Sequence, residues 1–251
     1  ETQVVVATRS KWDEIGASGL KRALLDVVMI DAGWLADLAD RGDRLPRCQD
    51  VPAEARVSLA ELEAWGDQHT VGVLVISCPW LDRHHPDAHG EQLRKIAFVL
   101  KAFAAEALQY TGCRVGVFWD YCSLPQKNLD GIDDRTEEEK ARFGRVLKGG
   151  INALYGHQKT HVLLVTTPLP TGHAYINTQP YAGRGWCFAE SVMSSMVKDY
   201  TALVDLGKLA GDEADVDTLV TKGKSERRPP IAPDAFHQML RSGVGDESIK
   251  F

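Results

Sequence analysis

Short apolar runs alternate along this chain with longer segments whose apolar positions recur at helical spacing. Val71–Ile76 is a continuous β-branched run, the pattern of a strand buried on both faces of a parallel sheet. From Glu91 to Tyr110, Leu93, Ile96, Ala97, Leu100, Phe103, Ala104 and Ala107 share one face, which predicts an amphipathic helix that Gly112 ends. Arg114–Trp119 predicts a second strand, followed by a polar stretch over 126–136 and a helix over Glu137–Tyr155. His161–Thr166 predicts a third, leading through a Pro/Gly-rich loop to Pro180 and a helix over Gly185–Val197. Tyr200–Leu206 is the expected fourth. Strands separated by helices in this order predict an α/β fold with a central parallel sheet covered by helices on both faces. Any ligand site then belongs to the loops after Ile76, Trp119 and Thr166, at the carboxyl ends of the strands.

The expected core spans 71–206. Residues 1–70 read as an N-terminal arm packed on it, with a helix over Leu20–Leu38 and an extended two-proline segment over Leu45–Pro52. Residues 207–251 read as a C-terminal loop and helix, the helix expected over Asp234–Arg241 with Asp234 near its N-cap.

Composition narrows the function classes. With 251 residues, 44% of them hydrophobic and 25% charged, the chain can bury a large core and needs no disulfide or metal staple. The net charge of −6, with no basic run longer than the 222–228 stretch, argues against a nucleic-acid partner. Its apolar runs are strand-sized, well below the ~20 residues of a membrane span, so no membrane partner is expected. Five cysteines without a C-x-x-C pair suggest neither a disulfide framework nor a zinc ribbon, and point to a reducing, cytoplasmic setting. Glu1 is not an initiator methionine and no signal-like stretch is visible, as in a processed or excised piece.

Three strand-end segments hold the unusual polar residues. In the first, His84, His85 and His89 lie with Asp82 and Asp87, and His85 and His89 have the i, i+4 spacing of a zinc helix. Pro86 lies between them, and the competing reading is a solvated loop that caps the next helix; no metal is assigned. Cys122 and Cys187 fall near the strand ends, either as nucleophilic thiols or as small buried hydrophobes. Glu190 lies in the first turn or just beyond on the Gly185–Val197 helix, facing the mouth of the sheet. There it either complements the helix dipole or acts as a functional carboxylate.

A Val/Ile strand ending in Ser77, a strand with Val117-Phe-Trp-Asp120, a Val-rich third strand and then Trp186-Cys-Phe-Ala-Glu190 resemble the Toll/interleukin-1 receptor (TIR) domain. The resemblance implies a flavodoxin-like or TIR-like three-layer sandwich over 71–206. In the enzymatic branch of that family the Glu of the Trp-Cys-x-x-Glu pattern is the catalytic carboxylate of NAD hydrolysis, a role that falls on Glu190. Ser77, Trp80 and Asp120 match loosely, as pocket-lining residues, and Trp186, which opens the motif, is either a further substrate-binding residue or simply core. Two features depart from the family: the insertion around 126–136 and the Pro/Gly loop before Tyr181. The chain is also similar to a broader set of proteins of microbial eukaryotes that share Trp-x-Asp-Tyr-x-Ser-Leu-Pro-Gln and Arg-Gly-Trp-Cys.

The resemblance implies a small-molecule nucleotide partner, with NAD as a possible substrate and no cofactor. Nicotinamide leaves as an already cationic group, so one carboxylate suffices, stabilising ribosyl charge or gripping ribose hydroxyls. Trp80, Trp119 or Tyr121 could stack on a base, and Arg184 could pair with a phosphate; equally, strand-end tryptophans are often core and Arg184 could cap a carbonyl. A nucleoside deoxyribosyltransferase-like enzyme would use Glu190 as nucleophile. The competing class is a non-catalytic signalling or scaffold module, whose sheet and 126–136 insertion serve assembly, including assembly into a homo-oligomer.

Overall fold

The computed structural model describes residues 10–65, 71–225, 232–234 and 237–238. Six strands form one sheet: β1 (Met29–Asp31), β2 (Arg56–Val57), β3 (Val73–Ser77), β4 (Gly116–Phe118), β5 (His161–Leu164) and β6 (Leu203–Asp205). Their spatial order is β2-β1-β4-β3-β5-β6. The four strands β4-β3-β5-β6 are parallel, whereas β1 runs antiparallel to both β4 and β2. The sheet is therefore mixed, where the apolar runs alone predict a purely parallel one.

Helices occupy both faces because alternate strand residues point opposite ways. Leu74 and Ile76 of β3 join a core with Leu35 of α3 (Ala32–Asp40), Leu100 of α5 (Glu91–Thr111) and Leu219 of α10 (Val216–Lys222). Val73 and Val75 enter a second core with Leu20 of α2 (Ser18–Leu24), Leu154 of α8 (Ile151–Gly156) and Cys187 of α9 (Gly185–Val197). Trp12 of α1 (Lys11–Glu14) and Leu62 of α4 (Leu59–Glu63) extend that second core. All five residues of β3 are buried, so truncating any of its large apolar side chains costs about 2–5 kcal/mol.

Local chemistry explains the helix limits. Gly90 precedes α5 in the left-handed region at φ 66°, where a Cβ would meet the Asp43 carbonyl oxygen at 2.7 Å. The buried Asp87 carboxylate accepts from the Leu93 N–H inside the first turn, and Gly112, at φ 67°, closes the helix as expected. A Thr136/Glu139 capping box starts α7 (Glu137–Arg145). The predicted helix over Glu137–Tyr155 is broken by a π-helical turn over Val146–Gly150 before α8 resumes, at the Gly149-Gly150 pair whose missing side chains weaken the α ladder.

Other expectations need correction. The helix expected over Leu20–Leu38 ends at Leu24; Met29–Asp31 then form β1, and the Asp31 side chain caps α3. The extended Leu45–Pro52 segment contains a 3₁₀ turn at Cys48–Asp50. The expected fourth strand is strand only over Leu203–Asp205, flanked by 3₁₀ turns. Pro233, Asp234, His237 and Gln238 are helical, and the rest of the helix expected over Asp234–Arg241 lies outside the described residues. Among the described residues no helix is long and apolar enough to cross a membrane.

From β3 the chain crosses through α5 to β4 on one side, then returns through α7 and α8 to β5 on the other side of β3. That reversal opens a crevice between the carboxyl ends of β3 and β5.

Candidate functional site

Ser77 is the last residue of β3 and is fully buried. Its hydroxyl donates to Glu190 Oε2 at 2.6 Å, and its oxygen lies 2.6 Å from the Tyr181 hydroxyl. The Tyr181 hydroxyl in turn donates to the Cys187 carbonyl at 3.1 Å. Glu190 sits one turn into α9, half-buried, at the β3/β5 crevice. Burial pushes its carboxyl up to about 8; the Ser77 hydrogen bond and the Tyr155 hydroxyl oppose this shift and the charge of Asp120 adds to it.

Asp120 follows β4 as the first residue of the short helix α6 (Asp120–Ser123). The parallel register pairs Val73 with Gly116 and Val75 with Phe118, so β4 ends next to the end of β3, and the charge of Asp120 reaches the Glu190 carboxyl. The carboxylate accepts from the Trp80 indole N–H at 2.8 Å on Oδ2 and from the Tyr121 backbone N–H at 2.7 Å on Oδ1. Burial lifts it to about 6 against these two donors.

The remaining candidates divide sharply. Trp80 is half-buried and meets Tyr121 edge-on at 5.7 Å. Trp119 and Tyr121 are core residues with at most 2% exposure, which leaves Trp80 as the aromatic of the three with surface available at the crevice. Arg184 is buried, and its guanidinium donates to the carbonyls of Gln179, Asn177 and Trp80. It therefore pins the loop before α9 to the loop after β3, as a carbonyl clamp rather than an open phosphate ligand. Trp186 is 45% exposed and lies at i−4 to Glu190, on the same side of α9.

The thiols are unsuited to nucleophilic work in this arrangement. Burial raises Cys122 far above the usual thiol range and pushes Cys187 up strongly, with the Glu190 charge adding to the latter; an activated thiolate needs the opposite shift. The histidines are equally committed. His85 Nδ1 accepts from the Asp87 N–H at 2.9 Å, so Nε2 carries the proton and donates to the Leu45 carbonyl at 3.0 Å. His89 stacks on His173 at 3.6 Å. The 85–89 segment forms turns before α5, not a helix, so the i, i+4 spacing gives no shared helical face. Among the described residues no three His, Cys, Asp or Glu side chains gather as a metal site.

Two groups unassigned in the sequence prove central. Tyr181 stands at the head of the Tyr-x-x-Arg-Gly-Trp-Cys segment, but only the fold turns its hydroxyl onto Ser77. Tyr155, at the end of α8, donates to the Ile76 carbonyl at 2.9 Å beside the same carboxyl. Two clefts open elsewhere: one lined by Lys198, Asp199, Tyr200 and Lys208, the other by Glu91, Arg94 and the Leu169–Gly172 loop. Neither includes Glu190. No family model, curated protein or solved structure matches the chain.

Proposed function

We propose that this chain is a nucleotide-binding, TIR-like α/β domain that cleaves an N-glycosidic bond, with Glu190 as the working carboxyl. One observation carries the reading: Glu190 meets Ser77 at 2.6 Å at the carboxyl end of β3, at the point where the strand order reverses. The parallel strands follow the order second, first, third, fourth, the flavodoxin-type arrangement whose ligands sit at that reversal. The Trp186-Cys-Phe-Ala-Glu190 resemblance supports the same carboxyl. Trp80 would face the base, while Asp120 and Glu190 would face the ribose.

The test incubates the purified protein with NAD and with nucleosides and follows release of free base, with Glu190→Ala as the control. Release that the variant abolishes is the expected result; no release, or equal release from the variant, removes the reading.

One observation favours assembly instead. Trp186, Met196 and Val197 of α9, with Tyr200 beyond it, are exposed apolar side chains, and faces of this kind mark interaction surfaces. Light scattering with and without nucleotide tests that reading, and a monomer at every concentration counts against it.

A further inference from the structure

Hydrogen-bond counting around Glu190 gives more than proximity. Glu190 to Ser77, Ser77 to Tyr181 and Tyr181 to the Cys187 carbonyl make three contacts of hydrogen-bond length in one unbranched chain. Each bond needs one hydrogen. The serine and tyrosine hydroxyls supply two between them, and the terminal carbonyl only accepts. Tyr155 donates to the Ile76 carbonyl at 2.9 Å and also lies against Glu190, where its hydroxyl favours the charged carboxyl; it joins none of the three contacts and so supplies none of their hydrogens. With Glu190 ionised, Ser77 donates to it and one of the other two contacts goes without a hydrogen; a proton on Glu190 completes all three by reversing that first bond, in the sense Glu190 O–H to Ser77, Ser77 O–H to Tyr181, Tyr181 O–H to Cys187.

Asp120 is held the opposite way. Each of its oxygens accepts from an N–H group, the Trp80 indole and the Tyr121 amide. Neither donor can reverse, so this arrangement suits the charged carboxylate.

We infer that the crevice holds a split pair, a neutral Glu190 acid beside an ionised Asp120, and that its substrates are N-glycosides whose leaving base is neutral and must be protonated to depart. The inference rests on the N-glycosidase reading above and narrows its substrate class from nucleotides in general to nucleosides or nucleotides of uncharged bases. A cationic nicotinamide needs no proton from the enzyme, and a neutral acid offers the ribosyl cation little attraction. An uncharged base leaves poorly without a proton, and Glu190 carries one at neutral pH.

In the reaction, the Glu190 proton passes to a ring nitrogen of the base as the C1′–N bond breaks and its electron pair goes to the base. Asp120 faces the positive charge that develops on the ribosyl group. Water adds to C1′ through its oxygen and loses a proton to the ionised Glu190, which restores the acid. The groups around Glu190 agree with this assignment. Asp120 from α6, Cys78 from the end of β3, Tyr155 from α8, and Tyr181 and Cys187 at the start of α9 are carboxyl, thiol and phenol groups. The nearby cation, Arg184, is spent on three carbonyls. Burial therefore raises Glu190 to about 8 and Asp120 only to about 6, a separation that assigns acid and carboxylate roles.

The experiment compares inosine, NAD and 4-nitrophenyl β-D-ribofuranoside, whose leaving group departs without a proton, on the wild type, Glu190→Gln and Asp120→Asn. Infrared spectra of the same proteins are read for a carboxylic-acid C=O band at neutral pH. The expected results are cleavage of inosine, a loss of about 10²- to 10⁴-fold in Glu190→Gln with a much smaller loss on the nitrophenyl riboside, and a loss on both in Asp120→Asn. The acid band should be present in the wild type and missing from Glu190→Gln. Cleavage of NAD with inosine untouched, equal losses on the two ribosides in Glu190→Gln, or no acid band overturns the inference while the N-glycosidase reading stands. If no glycoside is cleaved, both fall.

Discussion

Glu190 in the first half of α9 and Lys198 just past its last turn are both buried ionisable groups on one helix, yet they are satisfied in contrasting ways. The Lys198 ammonium, 1% exposed, donates to the carbonyls of His157 and Thr160 and to the Thr160 hydroxyl. Two carbonyls and a threonine hydroxyl, whose own proton goes to the Leu154 carbonyl at 2.7 Å, accept from it, so the charged form is held by geometry even though burial pulls the group down to about 7. Glu190 instead meets hydroxyl groups that can rotate and reverse, on a residue that is only partly buried. The difference teaches that a displaced pKa is not in itself a sign of function. The decisive question is whether the partners are fixed backbone acceptors or reversible O–H groups at a solvent-facing crevice.

The harshest way to break this comparison is Lys198→Met. It removes the ammonium's hydrogen bonds to the His157 and Thr160 carbonyls and to the Thr160 hydroxyl, at about 1–3 kcal/mol each, and the unfolding free energy in urea should drop by about 4 kcal/mol. The acid band of Glu190 should be untouched. A variant of normal stability with altered site titration would reverse the roles assigned to the two groups.

Glu190→Gln should act through pH. The folded chain holds the Glu190 proton to about pH 8, against an ordinary value of 4.5. The resulting stability is fully present below about pH 4.5 and is lost as pH rises through about 8. The shift corresponds to at most about 5 kcal/mol, and solvent screening at a residue only partly buried reduces this to about 3 kcal/mol. Urea denaturation from pH 5 to 9 should show that decline in the wild type and its loss in Glu190→Gln, which becomes the more stable protein above pH 8. Parallel curves would mean that Glu190 is already ionised.

Arg184 belongs with Lys198 as a backbone clamp. Arg184→Gln gives up most of three carbonyl contacts and should cost about 2 kcal/mol locally. The sensitive readout is hydrogen exchange at the Asn177 amide, which donates to the Leu81 carbonyl between the same two loops. Faster exchange there without global destabilisation is the expected result. If Arg184 served a ligand instead, the loop would not notice its removal.

How much of this was legible in the sequence follows from the range of the interactions. The helix α5 with its Gly112 stop, and α9 from Gly185 to Val197, depend on periodicity and local caps, and both are read directly. β1 is three residues long, sits between two helices and is a strand only because β4 offers its edge, so local pattern merges it into one helix. Glu190 stands out by its motif. Its partnership with Tyr181 depends on where a loop of the third crossover lands against the end of β3, and no spacing encodes that. Arg184 invites a phosphate-binding role by its charge, until the fold surrounds it with carbonyls.

Tyr181→Phe makes the smallest change and asks the sharpest question of the proton count. Removing one hydroxyl deletes two of the three contacts, those to Ser77 and to the Cys187 carbonyl. A single contact remains, Ser77 to Glu190 at 2.6 Å, and the serine hydrogen alone satisfies it. Glu190 then no longer needs a proton of its own to complete the chain. The loss of roughly one hydrogen bond from the protonated state, about 1 kcal/mol, should lower the midpoint of its acid band by somewhat less than one pH unit. Stability at neutral pH should change by about 1 kcal/mol or less. Were Tyr181 merely a space-filling ring, its phenylalanine replacement would keep the midpoint where it is. Were its hydroxyl instead a donor that stabilises the charged carboxylate through Ser77, the midpoint would rise. The direction of that one shift therefore separates a chain built around a neutral acid from one built around an anion.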